Sequence, residues 1–126
     1  MTELRDMRDT IAAALDAVLA PLGARAYPYL PNRLNPPLAL VQPGDPYLEP
    51  NATAGFAVGS WTIRHEVILL VAPGDNDKQA DSLDALLEAA LVPLVDHGIT
   101  SVGQPYPLEV GNSAYTACRV SLTTTD

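Results

Sequence analysis

This sequence has few charged residues, especially cationic ones, and only one cysteine. Each of these shortages excludes a class of protein. Lys and Arg number seven in 126 residues against fifteen Asp and Glu, so the net charge is -8. Nucleic acids and anionic membranes are captured mainly by Lys and Arg, so direct binding to either is not expected. The single cysteine, Cys118, has no partner for an internal disulfide. No stretch approaches the roughly 20 consecutive apolar residues that a membrane helix requires.

Apolar residues, by contrast, are plentiful. They make up 48% of a chain whose 126 residues are the size of one ordinary domain. We therefore expect a single domain over residues 1–126 with a substantial hydrophobic core. Charged residues are only 17%, which leaves surface area for protein partners. The first residues contain no apolar signal core, so we expect the chain to fold in a cytosol.

Two segments have the apolar spacing of amphipathic helices. The first covers residues 2–22, and Gly23 is expected to end it. The second covers residues 77–95, begins with acidic capping residues, contains Pro93 and ends at Gly98. The apolar positions that share one face in the first helix are Met7, Ile11, Leu15, Val18, Leu19 and Leu22.

The strand signals are strongest in the middle and at the end of the chain. Residues 61–72 alternate at first and then become apolar on both faces, which predicts a central strand covered on both sides. Residues 38–41 predict a short strand. Residues 106–110 and 114–123 predict a hairpin around Gly111-Asn112-Ser113. In the returning strand Cys118 is expected to face the core as a small buried hydrophobe.

Proline is crowded into residues 27–50, where regular structure is expected to be brief. Residues 43–46 predict a turn, and the region 43–60 predicts a Pro-rich loop. Residues 99–103 remain unassigned. The sequence therefore predicts an α+β fold: an antiparallel or mixed sheet of about four to five strands with two helices packed mainly on one face.

No motif in the sequence indicates catalysis, and we expect no catalytic, metal or cofactor site. His65 is predicted to lie on a sheet surface and His97 at a helix end, neither with a second ligand at metal spacing. Residues 75–81 resemble the start of a calcium loop, but Ala80 and Leu86 replace the required glycine and glutamate. A glycine-rich phosphate loop and a nucleophile elbow are both missing. An active site assembled from scattered residues stays open as an alternative.

Aromatic residues concentrate in the predicted loops and the hairpin. They serve either as anchors for a partner protein or as caps on the ends of the sheet. On the first of these interpretations, the predicted protein interface consists of Asp45, Tyr47, Leu48, Phe56, Tyr106 and Tyr115.

The order of these elements resembles that of the tail terminator, or tail completion, proteins of long-tailed bacteriophages, particularly those of actinobacterial hosts. Residues 4–11, residues 61–67 and the helix over residues 77–95 carry the resemblance, which covers nearly the whole chain. The family has no invariant catalytic motif. Head-tail connector proteins are similar in size and layout.

The resemblance implies a structural virion protein rather than an enzyme. Such proteins assemble in the host cytoplasm as a hexameric ring that caps the tail tube at its head-proximal end and joins it to the head-side connector. DNA passes through the ring without specific binding, and an acidic lumen would repel its phosphates. The Pro-rich loop and the hairpin would contact neighbouring subunits or the tube.

Two other functions stay open at this point. One is another head-tail joining protein, of the head-closure or connector type. The other is a small acidic protein-binding module of inhibitor or immunity type, which would be monomeric and would bind one basic partner with strong salt dependence. A small enzyme or ligand-binding domain is the least supported alternative.

Overall fold

A computed structural model describes residues 4–51, 60–72 and 76–125 and shows two helices packed against a mixed sheet. In chain order the elements are α1 (Leu4–Leu19), β1 (Arg25–Tyr27), β2 (Leu38–Pro50), β3 (Trp61–Val71), α2 (Asn76–Leu94), β4 (Ile99–Val102), β5 (Tyr106–Val110) and β6 (Ser113–Thr125). A short 3₁₀ turn extends each helix, Ala20–Leu22 after α1 and Val95–His97 after α2. The predicted α+β class is confirmed, with six strands where the sequence predicted four or five.

The sheet has the order β1-β2-β3-β6-β4, and β5 lies beside β6 on the same side as β4. Strands β1 and β2 run parallel, and every other pair is antiparallel. The continuous apolar run at the end of β3, from Val67 to Val71, is buried on both sides of the sheet. The prediction of a central strand covered on both faces is therefore confirmed.

Both helices cover one face of the sheet, which we call the helix face. Alternate residues of β3 and β6, including Val67, Leu69, Cys118 and Val120, pack there against Leu15, Leu19, Leu83, Leu86 and Leu94 of the helices. The predicted helix ends are also confirmed, because Gly23 and Gly98 have φ of 76° and 80°. Glycine adopts this left-handed conformation without steric cost.

The opposite face, which we call the second face, is covered without helices. Its buried residues are Leu38, Leu40, Ile68, Leu70 and Ala117. Side chains from the segment before β2 and from the β5–β6 hairpin pack over them: Tyr27, Leu34, Tyr106, Leu108 and Tyr115. The hairpin is confirmed, with its turn at Gly111 and Asn112 and with β6 already starting at Ser113.

The Pro-rich loop predicted for residues 43–60 is wrong over residues 43–50, which belong to β2. Pro43 still pairs with His65, the register shifts, and pairing resumes between Leu48 and Ile63. Strand β1 pairs only with Leu38–Leu40, so the rest of β2 has no described neighbour on its outer side. Prolines are tolerated on such an edge because the missing N–H breaks no inter-strand bond. Residues 52–59 lie outside the described residues.

The two strands that the sequence left unassigned are short. Strand β1 has three residues and β4 has four, and neither is long enough to show alternation. Each is positioned by tertiary contacts, β1 by pairing with β2 and β4 by pairing with β6. The two strands lie at opposite edges of the sheet.

Candidate interaction surface

The predicted interface residues do not form one surface. Tyr106 and Tyr115 lie together, half-buried, over the apolar cluster of the second face. Asp45 is exposed in the irregular part of β2, and Tyr47 and Leu48 follow it half-buried. Phe56 lies outside the described residues. Tyr106 and Tyr115 therefore pack against the core, and their interface role stays a prediction.

The second face becomes polar beyond this apolar cover. Glu66 Oε2 accepts a hydrogen bond from Gln42 Nε2 at 3.3 Å and lies 3.3 Å from Arg119 Nε. Arg64 forms an ion pair with Glu49, and the Arg119 guanidinium lies 5.5 Å from the centre of the Tyr106 ring. Arg64 and Arg119 are thus each paired with a carboxylate, so this part of the second face offers polar contacts to a protein.

The prediction that His65 lies on a sheet surface is wrong. Its side chain is 1% exposed and lies on the same side of β3 as Val67, with the Tyr47 ring edge-to-face at 5.5 Å. The sequence contained the necessary signal, because Arg64 and Glu66 take the other side of the alternating strand. Burial lowers the pKa of the His65 imidazole, and the positive charge of Arg8 on α1 lowers it further.

Cys118 is buried as predicted, with 1% of its surface exposed. Its thiol donates a hydrogen bond to the carbonyl oxygen of Gly103, with sulfur and oxygen 3.2 Å apart. Burial raises the pKa of the Cys118 thiol, and the charge of Asp84 adds to the effect. A buried, protonated thiol is a poor nucleophile, so Cys118 serves the core rather than chemistry.

Within residues 4–51, 60–72 and 76–125 no group of three or more His, Cys, Asp or Glu is placed to hold a metal ion. Within the same ranges no helix has the length and apolar character to span a membrane. Asp77 and Asp81, part of the calcium-like segment, are helical in α2 and not in a loop.

The outer side of α2 carries an acidic stripe that sequence analysis missed. Four exposed carboxylates follow one another at helical spacing, and we call them the acidic face: Asp77, Asp81, Asp84 and Glu88. The face continues into Val92 and Val95, which are 72% and 68% exposed. These acids recur in the sequence at steps of three and four residues, but the capping prediction covers only those at the start of the helix.

A mainly apolar cleft of about 320 Å³ opens beside the acidic face, between α2 and the start of β5. We call it the α2–β5 cleft. Its walls are formed by Ala80, Leu83 and Asp84 of the helix and by Pro105, Tyr106 and Pro107 of the strand and its approach. An apolar cleft with a carboxylate at its rim fits a bulky apolar side chain that has a cation beside it.

A second exposed apolar patch lies at the other end of the strand order. Tyr29 and Leu30 follow β1 after Pro28 and are 61% and 59% exposed. Arg33 is exposed three residues later, and it forms no ion pair with the described residues. We call these three residues the Tyr29 patch. Large exposed apolar side chains beside a cation are typical of protein contact sites.

No protein-family model and no curated protein sequence matches this chain. Function must therefore be inferred from the fold, from the sequence resemblance and from the surfaces described above. Those surfaces consist of a paired polar face, an acidic helix with a cleft, and an apolar patch with a cation, all of which suit contact with proteins.

Proposed function

We propose that this protein is a structural virion protein that forms a ring at the head-proximal end of a bacteriophage tail tube. The ring caps the tube and joins it to the head-side connector. One observation carries the structural, non-catalytic part of the proposal. Cys118 and one of the two histidines, His65, are buried at 1% exposure, the other histidine, His97, lies in the 3₁₀ turn after α2, and the exposed features suit protein contact.

The element order also supports this assignment. A leading amphipathic helix, a long central strand, a second helix and a C-terminal hairpin are the features on which the family resemblance is based, and all occur in one α+β domain. The assignment to the tail, the hexameric state and the partners come from that resemblance.

The charge distribution fits passage of DNA through such a ring. The net charge is -8, and four of the described arginines are each within 4 Å of a carboxylate oxygen: Arg5, Arg25, Arg64 and Arg119. A surface with few unpaired cations does not hold phosphates, so DNA would move without stalling.

The acidic face of α2 favours a second candidate function. A small acidic module that neutralises one basic protein would use such a face, and it would act as a monomer. A head-closure or connector protein would differ from a terminator only in the neighbour that it contacts.

Native mass measurement and negative-stain imaging of the purified protein, alone and with tail-tube protein, test the proposal. We expect six-fold rings, or rings located at the ends of tubes. A monomer that leaves tubes uncapped at high concentration would overturn the proposal and favour the acidic binding module. Rings that bind the head-side connector but ignore tubes would indicate a head-closure protein.

A further inference from the structure

We propose that copies of this chain join head to tail, with the Tyr29 patch of one copy docked in the α2–β5 cleft and against the acidic face of the next. The contact has one occupant, a second copy of the chain. The contact depends on the proposed function only in that the repeated copies close into a ring. If they did not close, the same contact would give a filament.

The inserting side combines exposure with limited flexibility. Tyr29 and Leu30 are 61% and 59% exposed, whereas Tyr27 before them and Leu34 after them pack against the apolar cluster of the second face. Pro28 and Pro31 flank them and fix two backbone φ angles. A segment restrained in this way loses less entropy when it binds. Tyrosine and arginine are also the residues most enriched at the energetic centres of interfaces.

The receiving side combines an apolar cleft with the acidic face of α2. The helix dipole accounts for an acid in the first turn of α2, such as Asp77, but Asp84 and Glu88 lie beyond that turn. Asp81, Asp84 and Glu88 form no ion pair with the described residues, and like charges at these spacings repel one another. A cation from outside relieves that repulsion, and Arg33 of a second copy supplies one.

The two sides lie toward opposite ends of the sheet, counted from β1 to β5. The Tyr29 patch follows β1, and the cleft lies at β5, on the other side of the strand order β1-β2-β3-β6-β5. Four inter-strand spacings separate these edges, about 19 Å. Different and complementary patches at opposite edges produce a heterologous contact, which repeats from copy to copy.

Crosslinking the full-length protein tests the geometry. Leu30→Cys and Ala80→Cys place exposed thiols on the two sides, while Cys118 stays buried and unreactive. With a short bismaleimide, the doubly substituted chain should give a ladder of trimers and larger species. An equal mixture of the two single variants should give dimers and no larger species. Neither single variant alone, nor the unsubstituted chain, should crosslink.

A ladder that is missing from the doubly substituted chain would overturn the proposal. So would a Leu30→Cys variant that crosslinks efficiently to itself, because that result indicates a symmetric contact. Tight capture of a separate basic protein, with no self-association, would assign the acidic face to a different partner.

Charge exchange tests the pairing of the two sides. Arg33→Asp and Asp84→Arg should each raise the dissociation constant of self-association by about tenfold. The variant that carries both substitutions should recover most of the lost affinity. Asp96→Arg is the matched control, because it makes the same charge change at an exposed residue near the far end of α2. Equal weakening by the control, or a double exchange without recovery, would contradict the pairing.

The same experiments distinguish failure of this contact from failure of the proposed function. A ladder and charge rescue without capping of tail tubes would support the contact and reject the tail assignment. Rings that cap tubes while Tyr29→Ser/Leu30→Ser leaves assembly unchanged would support the tail assignment and reject this contact.

Discussion

His65 is buried in its neutral form beside a cation, which links the stability of the domain to pH. Its Nε2 atom has no hydrogen-bond partner among the described residues, and the same is true of the buried Nε of Arg8. A proton on His65 would place a second positive charge in a buried position near Arg8. The folded state therefore resists protonation at this residue, while the unfolded chain does not.

We expect the free energy of unfolding to fall as the pH is lowered through about 6.5, the ordinary pKa of histidine. Above that pH the imidazole is neutral in both states. Below it the unfolded chain binds a proton that the folded chain excludes, so unfolding is favoured until the lowered folded pKa is reached. Urea unfolding between pH 7.5 and about 5.5 measures the slope, since carboxylates titrate mainly below that range.

The matched variants for this measurement are His65→Leu and His97→Gln. The first should remove most of the pH dependence, whatever its effect on stability at pH 7.5. The second changes the other histidine and should leave the dependence in place. A slope that survives in His65→Leu would show that another group is responsible.

The two helices end at glycines with the same backbone conformation but different surroundings. Substituting each glycine therefore distinguishes the cost of the backbone conformation from the cost of a steric clash. A Cβ atom at Gly98 would lie 2.1 Å from the carbonyl oxygen of Thr123, whereas one at Gly23 would meet nothing within 4 Å. Both residues have positive φ. Gly98 is therefore required by φ and by the close approach of β6, and Gly23 by φ alone.

Gly23→Ala should lower the free energy of unfolding by about 1–2 kcal/mol, the cost of the left-handed conformation. Gly98→Ala should cost clearly more, because Thr123 and the 3₁₀ turn must also separate. Thermal and urea denaturation of the two variants provide the comparison. Equal losses would mean that the chain relaxes freely around residue 98.

Asp16 connects α1 to β1 and stabilises the connection between them. Its carboxylate accepts hydrogen bonds from the Ala26 backbone N–H and from Arg25 Nε, each at 3.0 Å. The backbone hydrogen bond is the main reason that the pKa of Asp16 lies below its usual value, and Arg25 lowers it further.

Asp16→Ala should cost about 1 kcal/mol of stability through loss of the backbone hydrogen bond. Asp9→Ala removes only the exposed ion pair with Arg5, whose atoms are 3.9 Å apart, and should change stability by less than about 0.5 kcal/mol. Urea unfolding compares the two. Similar effects would contradict the role given to the Ala26 hydrogen bond.

At the level of elements, the periodicity of apolar residues predicts a helix or strand correctly where the element is long and has a buried side. It predicted α1, α2, β3 and the C-terminal hairpin, and it predicted the burial of Cys118. It failed for β2, because proline is typical of loops, and the sequence does not show that β2 beyond Leu40 has no neighbour on its outer side among the described residues. It also failed for β1 and β4, whose few residues form strands only because longer strands lie beside them.

The candidate surfaces were less predictable than the fold. The acidic face was present in the sequence as helical spacing. The α2–β5 cleft was not, because it depends on the distance between two elements that are far apart in the chain. The exposure of Tyr29 and Leu30 likewise depends on how the segment after β1 lies over the second face.

The charge of the whole molecule determines how it should behave toward DNA. With a net charge of -8 and most described arginines paired, the protein should not retard duplex DNA in a gel, even at low salt. Retardation at about 50 mM salt that disappears at about 200 mM would reveal an unexpected basic surface and would count against the role proposed for the lumen.

The prolines of β2 and the register shift in β4 have a consequence for the behaviour of concentrated solutions. Pro43, Pro46 and Pro50 interrupt one outer edge of the sheet, and at the other edge β4 has four residues with an irregular register and β5 contains Pro107. Neither edge is a good template for a further strand, which is how natural sheets avoid amyloid-like growth. Concentrated stocks should therefore remain free of cross-β aggregates.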